Sequence, residues 1–164
     1  NFKMQNTHEK LSIESACATE MLFGDPKANK ILAHVCNNKG GFGSGIAGAI
    51  AEKWPNVRKI YQYLPHVLET NQLLKVEQGR YVCNMIAQDG YSTPTYAACD
   101  LKALRTCLWL LANTLSLAPT TEIHTVPIGC GLGGRKWPEV EPIIQEMLIK
   151  NHDYTVYVYD LPSK

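Results

Sequence analysis

The chain has 164 residues, of which 45% are hydrophobic and 19% charged, and its formal net charge is +1. This composition excludes a disordered chain, and a single domain of this length buries roughly two-thirds of its unfolded surface without disulfides or metals. Because the chain has no run rich in Lys and Arg, we expect a small-molecule partner, with no membrane and no strong nucleic-acid signal.

The N-terminal half predicts two strands and one helix. We expect residues 1–10 to be an N-terminal extension that is in part a cloning remnant or disordered, with the native start at Met4. Residues 11–18 and 30–36 are predicted strands, the second almost wholly apolar, as is typical of a strand covered on both faces. After a glycine-rich stretch, apolar residues at helical spacing predict a helix that Ser44 caps and Pro55 ends.

The C-terminal half continues this alternation. Residues 56–79 carry no clear pattern, apart from a candidate strand at 73–76. Two further strands are predicted, at 81–87 and, buried, at 122–128. Between them a long helix is predicted, with Thr93 as cap, Pro94 at its first position and leucines at helical steps from 101 to 115. A last helix from Pro138 turns Val140, Ile143, Ile144, Met147 and Leu148 inward, and residues 154–159 form a closing strand.

Strands that alternate with helices predict a layered α/β domain with a largely parallel sheet. Two glycine-rich stretches follow predicted strands: the first glycine loop (residues 37–45) and the second glycine loop (residues 129–134). Ligands of such folds bind beyond the carboxyl ends of the strands. Both glycine loops are therefore expected at the ligand-binding edge.

The first glycine loop also fits another class of site. Gly43, Gly45 and Gly48 match G-x-G-x-x-G, and Glu69 lies roughly 20 residues further on, as in dinucleotide-binding proteins. No predicted strand ends at Glu69, and the chain is short for a dehydrogenase. A nicotinamide-cofactor protein stays as an alternative, whereas the absence of Gly-Lys-Ser/Thr excludes a P-loop.

The two glycine loops share one physical property. Backbone N–H groups at a helix N-terminus, together with the helix dipole, bind anions. Two such loops at one sheet edge can hold a diphosphate from both sides. The alternative is that the glycines only make tight turns.

Residues 36–47 (CNNKGGFGSGIA) and 127–137 (PIGCGLGGRKW) resemble the two ligand loops of a macrodomain, and the resemblance covers nearly all of residues 11–160. It is closest to the branch with terminal ADP-ribose protein glycohydrolases, macrodomain antitoxins acting on ADP-ribosylated DNA, and yeast-type ADP-ribose 1″-phosphate phosphatases. The resemblance implies a single domain over residues 11–160, a three-layer α/β/α sandwich with a mixed, mostly parallel six-stranded sheet. It also implies that the partner is ADP-ribose or a derivative, including ADP-ribosylated macromolecules.

The resemblance assigns ligand contacts to residues of this sequence. Glu20, chosen narrowly over Asp25, would hold the adenine; Asn37 would contact the distal ribose; and Tyr96 would border the distal pocket. The expected ligand-binding residues are Glu20, Met21, Phe42, Gly43, Ser44, Gly45, Ile46, Gln88, Tyr96, Pro127, Gly129, Cys130, Gly131, Leu132 and Gly133.

Two departures from the glycohydrolases bear on the chemistry. Gln88 stands where those enzymes carry a nucleophilic lysine, and Gly133 stands where some carry an aspartate. Without either group a covalent lysine mechanism has no nucleophile. We therefore predict a hydrolase acting on ADP-ribose 1″-phosphate, with an ADP-ribosyl hydrolase or a non-catalytic binding module as alternatives.

The candidate catalytic residues are Asn37, which could orient ribose or water, and Asp89, which could act as general base if a neighbour tunes it. His34 is expected to be structural. Lys39 could meet a phosphate, although a solvated loop lysine is the more common case. Cys130 has no evident basic partner and is not expected to be a nucleophile.

The six cysteines form no C-x-x-C pair, so a zinc site is not expected. We expect no other metal and no cofactor. Most lie in apolar runs and are expected to be reduced thiols. No secretory signal or membrane span is evident in the sequence. These features predict a cytoplasmic protein, or a nuclear one in a eukaryote.

Overall fold

A computed structural model of the chain describes residues 10–160. The predicted N-terminal extension, with its start at Met4, therefore lies outside the described residues, apart from residue 10. The strands are β1 (Leu11–Ser15), β2 (Lys30–Asn37), β3 (Thr70–Glu77), β4 (Arg80–Gln88), β5 (Glu122–Thr125) and β6 (Val156–Asp160). The helices are α1 (Gly45–Lys53), α2 (Pro55–Tyr63), α3 (Leu101–Thr114) and α4 (Trp137–Ile144), which continues as a π-helical segment, Gln145–Lys150.

All six strands form one mixed sheet, in the order β1-β6-β5-β2-β4-β3. Only β3, at one edge, runs antiparallel to its neighbour β4; the other four pairings are parallel. The predicted six-stranded, mostly parallel sheet is confirmed. None of the helices within residues 10–160 is long and apolar enough to cross a membrane.

Alternating side chains of the strands build a core on each face of the sheet. On β2, Ile31 and Ala33 join the core that packs against α3 and α4, whereas Leu32 and Cys36 join the core that packs against α1 and α2. Because the central strands are covered on both faces, they are apolar almost throughout. The three-layer α/β/α arrangement is therefore confirmed. The five residues predicted to face inward from the last helix are all buried.

The start of α3 corrects the predicted helix start. Thr93 and Tyr96 exchange backbone hydrogen bonds of 2.9 and 3.2 Å in a tight turn, with Pro94 at the turn position that its fixed φ favours. The helix begins only at Leu101, where the Asp100 side chain accepts a hydrogen bond from Ala103 N (2.9 Å). Thr93 is therefore not the cap of this helix.

Proline also explains two smaller differences. Pro55 follows the end of α1, as predicted, but it is also the first residue of α2, because its missing N–H costs nothing at that position. The strand predicted over residues 122–128 ends at Thr125, because Pro127 cannot donate to a strand ladder. Ser44 occupies the cap position of α1, but its side chain makes no capping hydrogen bond.

Candidate ligand-binding site

The candidate site is the edge of the sheet where the chain leaves β2 and β5, the place at which open α/β sheets form a ligand crevice. These two strands are parallel neighbours, so their carboxyl ends lie at the same edge of the sheet. The first glycine loop leads from β2 to α1 on one face, and the second leads from β5 to α4 on the other. This divergence is the topological switch point at which open α/β sheets bind ligands. We call it the sheet-edge crevice.

The first glycine loop is shaped by the side chain of Asn37. Its Oδ1 accepts hydrogen bonds from Lys39 N (2.8 Å), Gly41 N (3.2 Å) and Tyr61 Oη (3.1 Å), while its Nδ2 donates to Gly41 O (2.8 Å). The amide oxygen is therefore fully used within the loop. The second N–H of Nδ2 is the group that Asn37 can still offer to a ligand.

Aromatic side chains support this loop from below. The hydroxyl of Tyr61 donates to Asn37 O (2.7 Å), and the ring of Phe42 packs between those of Tyr61 and His34, at centroid distances of 4.9 and 5.5 Å. Burial raises the pKa of Tyr61 to about 12, so the hydroxyl stays a donor. Phe42, a predicted ligand contact, is itself buried, so only its backbone is available to a ligand.

The N-terminus of α1 faces open space. A Cβ atom placed on Gly43 or on Gly45 would meet no protein atom within 4 Å. Ser44 leaves the N–H groups of the first helical turn without a side-chain acceptor. Uncapped N–H groups at a helix start favour an anion, because the helix dipole adds to their partial positive charge. The residues at this open helix start are Gly43, Ser44, Gly45 and Ile46.

The second glycine loop combines closed and open positions. A Cβ on Gly133 would lie 2.6 Å from Gly129 O and 2.9 Å from Cys99 Cβ, closer than packing allows. Gly131, between them, would meet no atom within 4 Å. Gly129 and Gly133 are therefore required by packing, whereas Gly131, like Gly43, leaves room for a ligand. Leu132 is exposed, and Pro127 and Cys130 are half-buried.

The carboxyl end of β4 supplies a third segment beside the first glycine loop. Asn38 Nδ2 donates to Asp89 Oδ1 (3.0 Å), and Tyr96 Oη donates to the Asp89 carbonyl (2.8 Å). Gln88 is buried, and its Nε2 donates to Gly90 O (3.1 Å). Asn37, Gln88, Asp89 and Tyr96 thus come together at one end of the crevice.

The two candidate adenine acids lie at different places. Glu20 comes after β1, on the segment that leads to Asp25; it is exposed and pairs with Lys53, the last residue of α1 (3.0 Å). Asp25 lies at the opposite, amino edge, where its backbone N–H donates to Glu122 at the start of β5 (2.8 Å). This separation favours Glu20 over Asp25 for a contact with a ligand in the crevice. Met21, next to Glu20, has a buried side chain.

Two reactive side chains are held in inert forms. Burial lowers the pKa of His34 to about 4, and its Nε2 donates to Asn84 Oδ1 (2.5 Å) inside the sheet. Burial, and next the charge of Glu139, raises the pKa of Cys130 to about 11. At neutral pH His34 is an uncharged structural residue and Cys130 is a thiol, a poor nucleophile.

The two positions that depart from the glycohydrolases carry no ionisable side chain. Gln88 offers an amide in place of an amine, and the Gly133 position has no room for a side chain. Within residues 10–160, no group of three or more His, Cys, Asp or Glu side chains is arranged to hold a metal ion. Glu69, the acid of the dinucleotide alternative, accepts a hydrogen bond from Thr106 of α3 (2.9 Å).

Sequence reasoning missed two residues that support the site: Asn38 and Tyr61. Tyr61 lies in the stretch without a clear pattern, yet Val57 and Tyr61 follow Pro55 at helical spacing and could have revealed α2. Asn38 carries no sequence signal, because its partners, Asp89 and Gly90, follow another strand.

No protein-family model matches the chain. A curated relative from Lodderomyces elongisporus, named ADP-ribose 1″-phosphate phosphatase, is 28% identical over 144 residues, which cover 79% of this chain and 87% of the relative. One from Meyerozyma guilliermondii with the same name is 27% identical over 163 residues, covering 80% and 89% of the two chains.

Two solved structures extend the likeness over 92% of this chain. A protein of unknown function from Bacteroides thetaiotaomicron is 34% identical, with a TM-score of 0.83 and 98% of its own length covered. A macrodomain protein from Streptomyces coelicolor is 30% identical, with a TM-score of 0.76 and 98% of its length covered. Both structures cover a larger share of this chain than the two curated relatives do.

Proposed function

Because the chain belongs to the macrodomain family, we propose that it binds ADP-ribose and hydrolyses ADP-ribose 1″-phosphate to ADP-ribose and phosphate. The observation that carries the proposal is the pair of glycine loops at the sheet-edge crevice. Gly43, Gly45 and Gly131 have open space where a side chain would be. Gly43 and Gly131 do not have positive φ angles, so neither backbone conformation nor packing within the chain calls for glycine there. Close approach of a ligand would call for glycine at both positions.

The order of the strands gives the proposed ligand a direction. Glu20 follows β1, the glycine loops follow β5 and β2, and Gln88 ends β4. Four strand spacings separate β1 from β4, which is about 19 Å at ~4.8 Å each. An extended ADP-ribose would then place its adenine near Glu20, its diphosphate between the loops, and its distal ribose near β4.

The diphosphate is the part of the proposed ligand for which the chain offers most hydrogen-bond donors. On one side it would meet the uncapped N–H groups at the start of α1, and on the other the backbone of the second glycine loop around Gly131. These donors are fixed before the ligand arrives, so little conformational entropy is lost on binding.

Hydrolysis of the 1″-phosphate needs a water molecule, a base and charge stabilisation. The water oxygen forms a bond to phosphorus while the bond from phosphorus to the C1″ oxygen breaks. Asp89 would take a proton from the water and return it to the leaving oxygen, which ends as the hydroxyl of ADP-ribose. Asn38 holds one oxygen of that carboxylate (3.0 Å).

Asn37 and Lys39 complete the proposed reacting end. With its amide oxygen used inside the loop, Asn37 would donate its remaining N–H to the distal ribose or to the attacking water. Lys39 is exposed in the first glycine loop, next to the segment that carries Asp89. Its ammonium group would stabilise the charge on the transferred phosphate.

The experiment is a pair of measurements on purified protein. Calorimetry with ADP-ribose tests the binding, and phosphate release from ADP-ribose 1″-phosphate tests the catalysis, each against a Gly45→Glu control. Binding together with release above the control is the expected result. Tight binding without release would reduce the proposal to a non-catalytic binding module, and no binding of ADP-ribose would overturn it.

A further inference from the structure

Resting on the proposed function, we infer that the segment after β4 closes the distal end of the sheet-edge crevice, so that the site accepts free ADP-ribose with a small 1″ substituent and excludes ADP-ribosylated proteins and nucleic acids. We call this closure the distal bridge: Asn38 of the first glycine loop together with residues 89–91. None of its residues is among the ligand contacts expected from the sequence; Asp89 is the candidate general base, and Asn38 bonds to it.

The distal bridge is a set of hydrogen bonds between two strand ends. Asn38 N donates to Gln88 O (3.0 Å), Asn38 Nδ2 to Asp89 Oδ1 (3.0 Å), and Gly90 N to Asn38 Oδ1 (2.9 Å). Both ends of the Asn38 amide are therefore engaged with the segment after β4. The first glycine loop and this segment form one continuous wall.

Tyr91 extends this wall over the first glycine loop. A Cβ on Gly41 would lie 2.6 Å from Tyr91 Oη, so the tyrosine hydroxyl sits directly against the loop backbone. The turn at Gly90, where φ is +72°, sends the chain back toward the loop. Tyr91 is still 57% exposed, so its outer face is toward solvent. It is therefore a lid on the wall and not part of a core.

The far side of the same segment is tied to the second glycine loop. Ser92 Oγ donates to Leu132 O (2.7 Å), and Cys99 N donates to Gly133 O (2.9 Å). Residues 89–99 thus connect both glycine loops around the distal end. A chain attached to C1″ would have to leave through this connection.

A phosphate group needs no such exit. It is compact, and the side chain of Lys39 runs alongside the bridge, with its Cε 4.0 Å from where a Cβ on Gly90 would be. A small dianionic substituent would therefore meet a cation at the closed end, whereas a polypeptide would meet the Tyr91 ring. Steric closure and charge select the same substrate class.

The test compares free ADP-ribose with a peptide that carries one ADP-ribose on a side chain, using calorimetry on the full chain. Wild-type protein is expected to bind the peptide at least about tenfold more weakly than free ADP-ribose. Tyr91→Ala is expected to bring the two affinities within about threefold while the affinity for free ADP-ribose stays unchanged. Tyr63→Ala, which removes an exposed tyrosine at the end of α2, should keep the wild-type discrimination.

A second variant opens the bridge without removing Tyr91. Gly41→Ala places a Cβ 2.6 Å from the tyrosine hydroxyl and 3.4 Å from Asn37 Nδ2, so the exposed ring should move outward and peptide binding should again improve. Equal affinity of wild-type protein for peptide and free ligand, or unchanged discrimination in both variants, would overturn the closed distal end while leaving ADP-ribose binding intact. Failure of wild-type protein to bind free ADP-ribose would instead overturn the proposed function.

Discussion

The two glycine loops leave neighbouring strands, yet they are held in place by different means. The first rests on side chains: the amide of Asn37, the hydroxyl of Tyr61 and the ring of Phe42. The second rests on main-chain packing, with Gly129 and Gly133 pressed against each other and against Cys99. Changes in side-chain chemistry should therefore disturb the first loop, and added volume should disturb the second.

Glycine has two distinct roles in this comparison. At Gly133 an added methyl group has no space, so glycine is required by the fold. At Gly43 and Gly131 an added methyl group would meet nothing, so the fold alone does not require glycine. The first role predicts effects on stability and the second predicts effects on ligand affinity.

The largest expected effect is on binding at the first loop. Gly45→Glu places a carboxylate at the proposed diphosphate position and should weaken ADP-ribose binding by about 100-fold, or ~2.7 kcal/mol, through bulk and like charge. Gly45 has a φ of +57°, so any substitution there adds backbone strain. Gly45→Ala carries the same strain without the charge and is the matched control. Equal affinities of the two variants in calorimetry would contradict a diphosphate at this position.

The second loop should lose stability before it loses affinity. Gly133→Ala forces a methyl group against Gly129 O and Cys99, and such overpacking costs about 1–3 kcal/mol. Gly131→Ala, two residues away, should leave the free energy of unfolding unchanged but weaken ADP-ribose binding. Urea unfolding and calorimetry on both variants separate the two effects. If Gly131→Ala destabilised the protein as much as Gly133→Ala, the proposed difference in role between the two glycines would be wrong.

Much of the fold could be predicted from the sequence because its signals are local. The apolar run that forms β2 and the leucine spacing of α3 each report burial on a known face. The misplaced start of α3 has a physical cause: Thr93-Pro94 fits both a helix start and a tight turn. Asp100, which caps the helix, decides between them only through a contact with Ala103.

The site was less predictable because its parts meet only in three dimensions. The glycine loops are visible as composition, but the use of the Asn37 amide inside its own loop depends on the fold of residues 38–41. The partners of Asn38 lie some 50 residues away along the chain. Sequence spacing carries no information about such a contact.

Acid should weaken the support of the first loop more than that of the second. The pKa of His34 is lowered to about 4 by burial, partly opposed by its hydrogen bond to Asn84, so the folded state binds fewer protons than the unfolded state. The contribution of neutral His34 to the free energy of unfolding is complete above about pH 6.5 and is lost as the pH falls toward 4. Between pH 7.5 and 5.5 the loss is about 1.4 kcal/mol for this group.

The measurement is urea unfolding at both pH values for wild-type protein and His34→Gln. His124, whose pKa burial also lowers to about 4, contributes in both proteins and cancels in the comparison. The wild type should lose more stability than the variant. Cys99, which supports the second loop, has its pKa raised to about 12 by burial and does not titrate in this range. Equal pH dependence of stability in the two proteins would show that the titration of His34 does not cause the loss.

The smallest expected effect isolates one hydroxyl group beneath the first loop. The Tyr61 hydroxyl shares its one proton between Asn37 O (2.7 Å) and Asn37 Oδ1 (3.1 Å) and accepts from Gly40 N (3.2 Å). Tyr61→Phe removes these interactions, at a net cost on the order of 1 kcal/mol. Tyr154→Phe removes a hydroxyl that is hydrogen-bonded to Ala112 O (2.7 Å), in the other core and away from both loops. Both variants should be destabilised to a similar degree, but only Tyr61→Phe should bind ADP-ribose more weakly, by about fivefold. Because the two substitutions delete the same atom, a matching loss of affinity in both would mean that stability alone, and not the shape of the first loop, governs binding.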